Sequence, residues 1–366
     1  GVEGVNFYNR QQKYADGAQT TSRTSYNTFN FHDIAFQLPL ARRLGLGFSL
    51  TPYSSVGYRV SADEQSDDVW GNIGRVQYLY AGEGDLTEVK LGIGWEVVKR
   101  VSIGVAAQYY WGDIERTYQT VVSNNIVNGG SVNTVTGTDS YGISRIKMQL
   151  GLQADLIQSE RQVLTLGATY DMGGNLRPSV NQTVVNGDIY GTVVRGDTTR
   201  MALKLPVQLG VGLYYQNAKI AAGVDYIYQN WENNESPKSV PGAVNVAYKN
   251  TNTVKLGFEY TPNRMDIRNY LKRWSYRVGF RYGTYYQTFE GKTLSQYAVT
   301  AGFGMPVRFL GRSSIDFGVE FGQRGNDSPL RIDNRQIGLV RQRYVKFSLG
   351  LTLFGEDSWF GRYKYD

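Results

Sequence analysis

The chain has 366 residues, a net charge of +7, one histidine and no cysteine. A chain without cysteine has no disulfide framework and no thiolate chemistry, and the single histidine, His32, excludes a multi-histidine metal site. The basic residues form no run, which argues against a nucleic-acid partner and leaves acidic lipid head groups as candidate partners. We predict no catalytic residue, no cofactor and no metal ion.

No stretch approaches the roughly 18 to 20 apolar residues that a membrane-spanning helix needs. The chain has no start methionine or signal peptide and opens almost inside a strand-like run at 2–14, so we expect a mature or trimmed N-terminus. In the run 44–58, Leu44, Leu46, Phe48 and Leu50 alternate with glycine, serine and threonine. This period of two is typical of a β-strand with two unlike faces.

A second run, 25–38, changes parity in its middle. Phe29 and Phe31 precede His32, and Ile34 and Phe36 follow it on the opposite parity. One inserted residue has this effect in a β-bulge. We therefore predict a bulge with a structural histidine that faces the interior.

The same alternation continues to the end of the chain, and no helical period competes with it. With the three runs above it predicts about fourteen strands. The further runs are 89–96, 101–109, 146–156, 164–170, 207–213, 220–228, 254–260, 276–282, 297–303, 315–321 and 347–353.

The connections between these runs alternate in length. Short turns are predicted at 39–43, 99–100, 158–162, 215–219 and 310–312, with one longer basic link at 261–274. Long polar loops are predicted near 60–86, 121–139, 181–198, 232–247 and 324–338. Short turns on one side and long loops on the other are typical of a bacterial outer-membrane barrel.

The alternative, a soluble sandwich or propeller, has shorter strands and an apolar inner face. Here the second face carries glycine, glutamine and charge, which a dry core would not accept. We therefore predict an all-β fold, an integral transmembrane antiparallel β-barrel of about fourteen strands in the outer membrane of a Gram-negative bacterium. The barrel covers 1–354, and 355–366 form a short periplasmic tail.

The predicted register places six basic and six acidic side chains in the lumen. Neighbouring strands bring Lys255 and Glu259 beside Arg277 and Arg281, and Asp316 and Glu320 beside Lys346. We interpret the set first as a salt-bridged ladder bracing the lumen and second as a substrate-binding lining. Its balanced charge argues against an ion-selective channel, which carries rings of one sign. The set is Lys90, Glu96, Lys147, Asp155, Asp171, Lys255, Glu259, Arg277, Arg281, Asp316, Glu320 and Lys346.

A proline interrupts the third strand. Pro52 cannot donate a ladder hydrogen bond, and unpaired backbone cannot face lipid. Pro52, Tyr53, Ser54 and Ser55 therefore mark either a side opening, a candidate ligand gate, or a strand end below a long loop. Pro206, in another predicted strand, shows that proline alone does not define an opening.

Several segments of the sequence resemble the FadL/TodX-type outer-membrane transport proteins, in the divergent form found in Bacteroidota. The resemblance covers nearly the whole chain, and the order of the segments along the chain makes it fairly specific. They are "LGLGFSLTPYSSVGYRV" (44–60), "LGIGWEVVKRVSIGVAAQYYWGDI" (91–114), "RWSYRVGFRYGTYY" (273–286), "AGFGMPVRF" (301–309), "SSIDFGVEFGQRG" (313–325) and "RYVKFSLGLTLFGEDSWFGRYKYD" (343–366).

The resemblance implies a monomeric fourteen-stranded barrel that moves hydrophobic small molecules, such as long-chain fatty acids or aromatic hydrocarbons, inward. It also implies a kinked third strand that opens the wall sideways, which matches the position of Pro52. Family members carry an N-terminal plug with an Asn-Pro-Ala motif, and this sequence contains no such motif. Either the plug was removed or left out, or the protein lost it.

Three hypotheses follow. The first is passive uptake of a hydrophobic ligand through a side opening at Pro52. The second is a non-transporting barrel subunit of a secretion or barrel-assembly complex, a role in which relatives of the family are known. The third, an outer-membrane hydrolase, is disfavoured because the chain has one histidine and no Ser/His/Asp constellation. Expected partners are outer-membrane lipids and lipopolysaccharide, a hydrophobic ligand, and protein subunits.

Overall fold

The structure is a computed structural model that describes residues 1–15, 18–64, 67–123, 132–186, 192–200, 203–232, 246–307, 313–327, 329–332 and 335–353. The predicted turn at 310–312 and the predicted tail at 355–366 lie outside these residues.

The described chain is almost entirely β-structure. One short helix, α1 (Asp67–Asn72), lies in the connection after β4, and one 3-10 turn, η1 (Tyr270–Arg273), precedes β17. The strands are β1 (Val2–Ala15), β2 (Ala18–Phe31), β3 (Ile34–Ala41), β4 (Leu44–Asp63), β5 (Arg75–Val98), β6 (Val101–Ser123), β7 (Val132–Gln158), β8 (Gln162–Asp171), β9 (Gly174–Asn175), β10 (Ser179–Asn186), β11 (Thr192–Arg200), β12 (Lys204–Leu205), β13 (Val207–Asn217), β14 (Ile220–Asn230), β15 (Val246–Tyr248), β16 (Thr251–Tyr260), β17 (Ser275–Phe289), β18 (Lys292–Val307), β19 (Ser313–Arg324), β20 (Pro329–Ile332), β21 (Arg335–Gly338) and β22 (Val340–Thr352).

Antiparallel pairing joins most of these strands into one barrel wall. β2 and β3 follow each other along the chain and form the upper and lower halves of one wall strand, where upper means the side of the long loops. Counted this way, the described chain contributes fourteen wall strands, as the sequence predicts. The order around the wall is β3, β4, β5, β6, β7, β8, β13, β14, β16, β17, β18, β19, β22, β1 and β2.

The predicted alternation sets the two faces of the wall. Large apolar side chains such as Leu91, Ile146, Leu256 and Phe347 are exposed on the outer face. Because successive side chains of a strand point to opposite faces, the intervening polar residues face the lumen. This is the arrangement of a barrel with lipid outside and water inside.

The lower turns of the wall are short, as predicted. Between described strands they comprise residues 42–43, 99–100, 159–161 and 218–219. The link at 261–274 is longer and is held by its own hydrogen bonds. Asn269 accepts from the Leu271 N–H at 3.0 Å, and Asp266 accepts from the Arg268 and Asn269 N–H groups at 2.9 and 2.8 Å. The hydrogen bond from the Asn269 N–H, and to a smaller extent that from the Arg268 N–H, holds the pKa of the Asp266 carboxyl below its usual value.

The second wall strand differs from its prediction. The run at 25–38 was expected to be one strand with a bulge at His32, but the strand breaks at residues 32–33. Above the break β2 pairs with β1, and below it β3 pairs with β4. The parity change at His32 thus marks a change of ladder partner instead of an extra residue within one ladder.

Other strands extend the sheet above the membrane or fold inward. β10 pairs with the upper part of β7 and with β11, and β15 pairs with the upper end of β17. The two-residue strands β9 and β12 pair with each other between β8 and β13. Neither helical segment of the described chain has the length and apolar character that a membrane-spanning helix needs.

The two faces predict opposite responses to charge on β7. Leu152 is exposed on the outer face, and its neighbour Gln153 lies on the lumen face. We expect Leu152→Arg to lower the free energy of unfolding in lipid vesicles by about 2–4 kcal/mol, because the guanidinium enters hydrocarbon. Gln153→Arg is the matched control and should change it by less than about 1 kcal/mol, because the lumen is hydrated. Equal losses for the two variants would contradict the assignment of faces.

Candidate functional site

A slit in the barrel wall separates β2 from the upper half of β4. The lower half of β4 pairs with β3, from Ala41 opposite Leu44 to Ile34 opposite Leu50. Above this point no ladder joins β4 to β2 within the described residues. Pro52 therefore lies at the lower end of the slit.

The opposite edge of β4 remains paired but is bulged next to Pro52. The register of β4 on β5 shifts between Pro52, opposite Thr87, and Ser54, opposite the buried Leu86. Tyr53 is the extra residue, and its ring meets Tyr110 edge-on with 4.9 Å between ring centroids. The structure thus places Tyr53 and Ser54 at the bulge and Ser55 immediately above it.

An amide cluster surrounds Asp171 on the lumen side. Its carboxylate accepts hydrogen bonds from Gln108 at 2.9 Å, Gln149 at 2.7 Å and Gln208 at 3.0 Å. These glutamines come from β6, β7 and β13, so one carboxylate ties three strands to the end of β8. A polar cavity of about 100 Å³ lies beside this cluster and is also bordered by Tyr53.

The segment after β8 folds into the lumen above the Asp171 cluster. Gly173 and Gly174 turn the chain with φ of 53° and 108°, values that favour glycine. Leu176 is then only 1% exposed and packs with Leu86, Tyr110 and Ile143. Two inward-facing side chains hold the segment: Lys147 donates to the Asn175 carbonyl at 3.1 Å, and Arg145 to the Leu176 carbonyl at 3.1 Å. The segment occupies part of the lumen beside β5–β7.

Two arginines of β17 organise ion pairs on the far side of the lumen. Arg277 binds Glu259 at 2.7 Å and also Asp316, which lies two strands away on β19. Arg281 binds Glu320 at 2.7 Å and donates to the Tyr344 hydroxyl at 2.9 Å.

The intervening strand, β18, carries small residues where these arginines cross it. Gly302 lies opposite Arg277, and Ala298 lies opposite Arg281. A Cβ on Gly304 would lie 2.5 Å from an Asp316 oxygen, so glycine leaves the space that this ion pair needs.

The remaining predicted lumen residues have other partners. Glu320 lies opposite Lys346 in register, but Lys346 forms its ion pair with Glu3 at 2.8 Å. Lys255 lies between Asp225 and Arg281 in the ladders of β14, β16 and β17. Other partners are Glu88 for Lys90 at 3.3 Å, Arg43 for Glu96 at 3.6 Å and the Thr165 hydroxyl for Asp155 at 2.8 Å.

Several contributors were missed by the sequence reasoning. Glu3 and Glu88 face the lumen and form ion pairs with Lys346 and Lys90, which the sequence predicts to face it. The three glutamines bound to Asp171 also face the lumen. A search for polar residues of any type at the lumen-facing positions of each strand would have found them. Among the described residues, no group of three or more acidic or histidine side chains is placed to hold a metal ion.

Cavities on the two sides of the wall differ in character. A cavity of about 670 Å³ is bordered by Lys255, Glu259, Arg277, Asp316, Glu320 and Lys346. A strongly apolar groove of about 520 Å³ lies on the outer face between Phe258, Val278, Phe303 and Phe317. In the described chain, charge therefore concentrates in the lumen and apolar surface on the outside.

Solved structures share this architecture. A FadL homologue from Pseudomonas aeruginosa matches with a TM-score of 0.60 and 14% identity, over 96% of this chain and 89% of that chain. The TodX deltaS2S3 mutant monoaromatic hydrocarbon channel matches with a TM-score of 0.53 and 14% identity, over 96% and 89%. For the CymD monoaromatic hydrocarbon channel the values are 0.51 and 12%, over 97% and 89%.

At these identities the likeness establishes the fold, which is that of FadL-type outer-membrane β-barrels. The BamG family model matches residues 7–366, nearly the whole chain. The protein therefore belongs to the BamG family. No curated protein matches the chain.

The slit can be tested with paired cysteines, because the natural chain has none. If the β3–β4 register continued upward, Thr28 would lie opposite Val56. We expect Thr28→Cys/Val56→Cys to form no disulfide in the folded protein, since a disulfide needs a Cα separation of about 4.4–6.8 Å. The control pair is Phe36→Cys/Phe48→Cys, which lies in the β3–β4 ladder and should oxidise readily. Gel mobility with and without reductant reports both, and full oxidation of the upper pair would mean a continuous wall.

Proposed function

We propose that the protein is a non-transporting barrel subunit of a larger outer-membrane assembly of the barrel-assembly kind, in a Gram-negative bacterium of the Bacteroidota type. The match of residues 7–366 to the BamG family model supports this proposal. The observation that carries the proposal is the structured lower link at 261–274, which presents apolar side chains to the periplasm.

This link is built unlike the other lower turns of the described chain. Met265 is 73% exposed and Ile267 is 99% exposed at its tip. The link is nevertheless fixed by hydrogen bonds, including one from the Tyr270 hydroxyl to the Pro306 carbonyl at 2.7 Å. A pre-ordered loop that displays apolar residues loses little conformational entropy when it binds a partner.

Charge around the tip indicates the kind of surface it would meet. Arg268, Lys272 and Arg273 accompany the apolar residues, and Lys272 lies 3.8 Å from Asp266. An apolar pocket with an acidic rim on a periplasmic protein would complement this link, because complementary charge steers association and apolar anchors supply most of the binding energy.

The slit supports an assembly role as well. The facing edges of β2 and of β4 above Pro52 carry backbone groups without a ladder partner in the described wall. Such groups cannot face lipid, and an added strand from another protein can pair with them. A partner at the slit would complete the hydrogen bonding of the barrel.

A second candidate function is passive uptake of hydrophobic small molecules, such as long-chain fatty acids or aromatic hydrocarbons, through the slit. It is favoured by the position of the slit at Pro52 and by the FadL-type fold. The lumen favours the first function, because charged and amide groups border its described cavities and the segment around Leu176 occupies part of it. An apolar ligand would have to displace water from these groups without replacing its hydrogen bonds.

One purification distinguishes the two functions. The tagged full chain is extracted from native outer membranes in mild detergent and analysed by mass spectrometry for proteins and bound lipids. We expect stoichiometric protein partners, and we expect Met265→Ser/Ile267→Ser to lower their recovery at least about tenfold, because hot-spot truncations cost about 2 kcal/mol or more. Val97→Ser/Val98→Ser, which alters apolar residues beside the turn at 99–100, is the matched control and should retain them.

A lone monomer that carries a fatty acid or hydrocarbon would overturn the subunit proposal and favour uptake. Partners retained fully by Met265→Ser/Ile267→Ser would remove the link from the interface. Heat-dependent gel mobility, which separates folded from unfolded barrels, verifies that each variant is folded.

A further inference from the structure

We infer that an outward-facing cluster of four arginines, beside the slit, binds the phosphate groups of an outer-leaflet glycolipid such as lipid A. The cluster consists of Arg10 on β1, Arg23 on β2, and Arg341 and Arg343 on β22. This inference is independent of the proposed subunit role.

Strand pairing brings three of these arginines into one row. Arg10 lies directly opposite Arg23 in the β1–β2 ladder and directly opposite Arg341 in the β1–β22 ladder. Directly opposed residues share a face with Cβ atoms about 4.5–5.5 Å apart, and like charges in such positions repel. The row is therefore unfavourable unless an anion lies over it.

The acidic residues nearby neutralise only part of this charge. Asp327 lies 3.6 Å from Arg10 and 3.5 Å from Arg341. Arg343 donates to the neutral side chain of Gln323 at 3.2 Å, and Arg23 has no carboxylate partner among the described residues. Among the described residues, one carboxylate against four guanidinium groups leaves a net charge of about +3 on the patch.

The height of the cluster on the wall identifies the occupant. Upward along the outer face of β22, Arg343 follows Phe347 and Val345. On β2, Arg23 lies above Phe29, with the polar residues Asn27 and Ser25 between them. Phe29 is 76% exposed and Phe347 is 53% exposed, so exposed apolar side chains lie on the same outer face below the arginines. Side chains at this boundary meet lipid head groups, and guanidinium groups bind phosphate in a bidentate manner.

The surface between the arginines is concave. A cavity of about 390 Å³ is bordered by the four arginines together with Tyr8 and Ser25, whose hydroxyls are further hydrogen-bond donors. A glycolipid phosphate held here would place its acyl chains against Phe29 and Phe347. Because β2 is also an edge of the slit, the bound lipid would lie directly beside the slit.

The test uses native mass spectrometry of the purified full chain with defined probes. The probes are bisphosphorylated lipid A, lipid A stripped of its phosphates, and inorganic phosphate. We expect retention of the bisphosphorylated form, and we expect Arg23→Gln/Arg343→Gln to weaken it at least about tenfold through the loss of two charge-assisted hydrogen-bonding groups. The control Arg42→Gln/Lys99→Gln removes the same charge from lower turns and should bind as the natural chain does.

Three results would overturn the inference. One is equal retention of bisphosphorylated lipid A by Arg23→Gln/Arg343→Gln and the natural chain. Another is equal binding of the phosphate-free lipid. Binding of inorganic phosphate as tight as that of lipid A would likewise overturn it, because the site would then recognise a free anion and not a lipid. Heat-dependent gel mobility shows whether each variant is folded.

Discussion

Backbone N–H and C=O groups cannot face lipid without hydrogen bonds, and this constraint governs the whole molecule. Long antiparallel ladders satisfy it around the wall, from the β3–β4 pair to the β1–β2 pair. The two ends of the sheet are β3 and β2, which together form one wall strand. Its lower half, β3, pairs with β4, and its upper half, β2, pairs with β1. Residues 32–33 join them, and the slit above Pro52 is the consequence.

Much of the wall could be predicted from the sequence for a simple reason. Each strand separates lipid from water, so its apolar and polar residues must alternate wherever it crosses the membrane. The alternation in 44–51 and 89–96, and the short turns at 42–43 and 99–100, follow from this requirement alone. The number of strands, the face on which each side chain lies and the length of each turn depend on neighbouring residues in the sequence.

Pairing across the wall could not be predicted in the same way. The parity change at His32 was visible, but whether β2 stays with β1 or continues to β4 depends on contacts far apart in sequence. The ion pairs of Asp316 and Glu320 were expected at Lys346 because the sequence reasoning considered adjacent strands. Arg277 and Arg281 reach these carboxylates over β18, where Gly302 and Ala298 leave room.

Three surfaces of the molecule now have distinct chemistry. The lumen is bridged by ion pairs and by the amides around Asp171, the lower link displays Ile267, and the upper outer face carries the arginine cluster beside the slit. The edges of β2 and β4 at the slit have no ladder partner in the described wall, and this supports the proposed subunit role.

Residue-resolved amide hydrogen exchange of the protein in a bilayer tests the central claim, that β4 loses one ladder above Pro52. Successive residues of an antiparallel strand bond alternately to its two neighbours. Residues 44–51 should therefore be protected uniformly, whereas in 54–63 protection should alternate between residues bonded to β5 and residues facing the slit. The strand β5, paired on both sides, should be protected uniformly at both heights. Uniform protection of β4 through residue 63 would contradict the account.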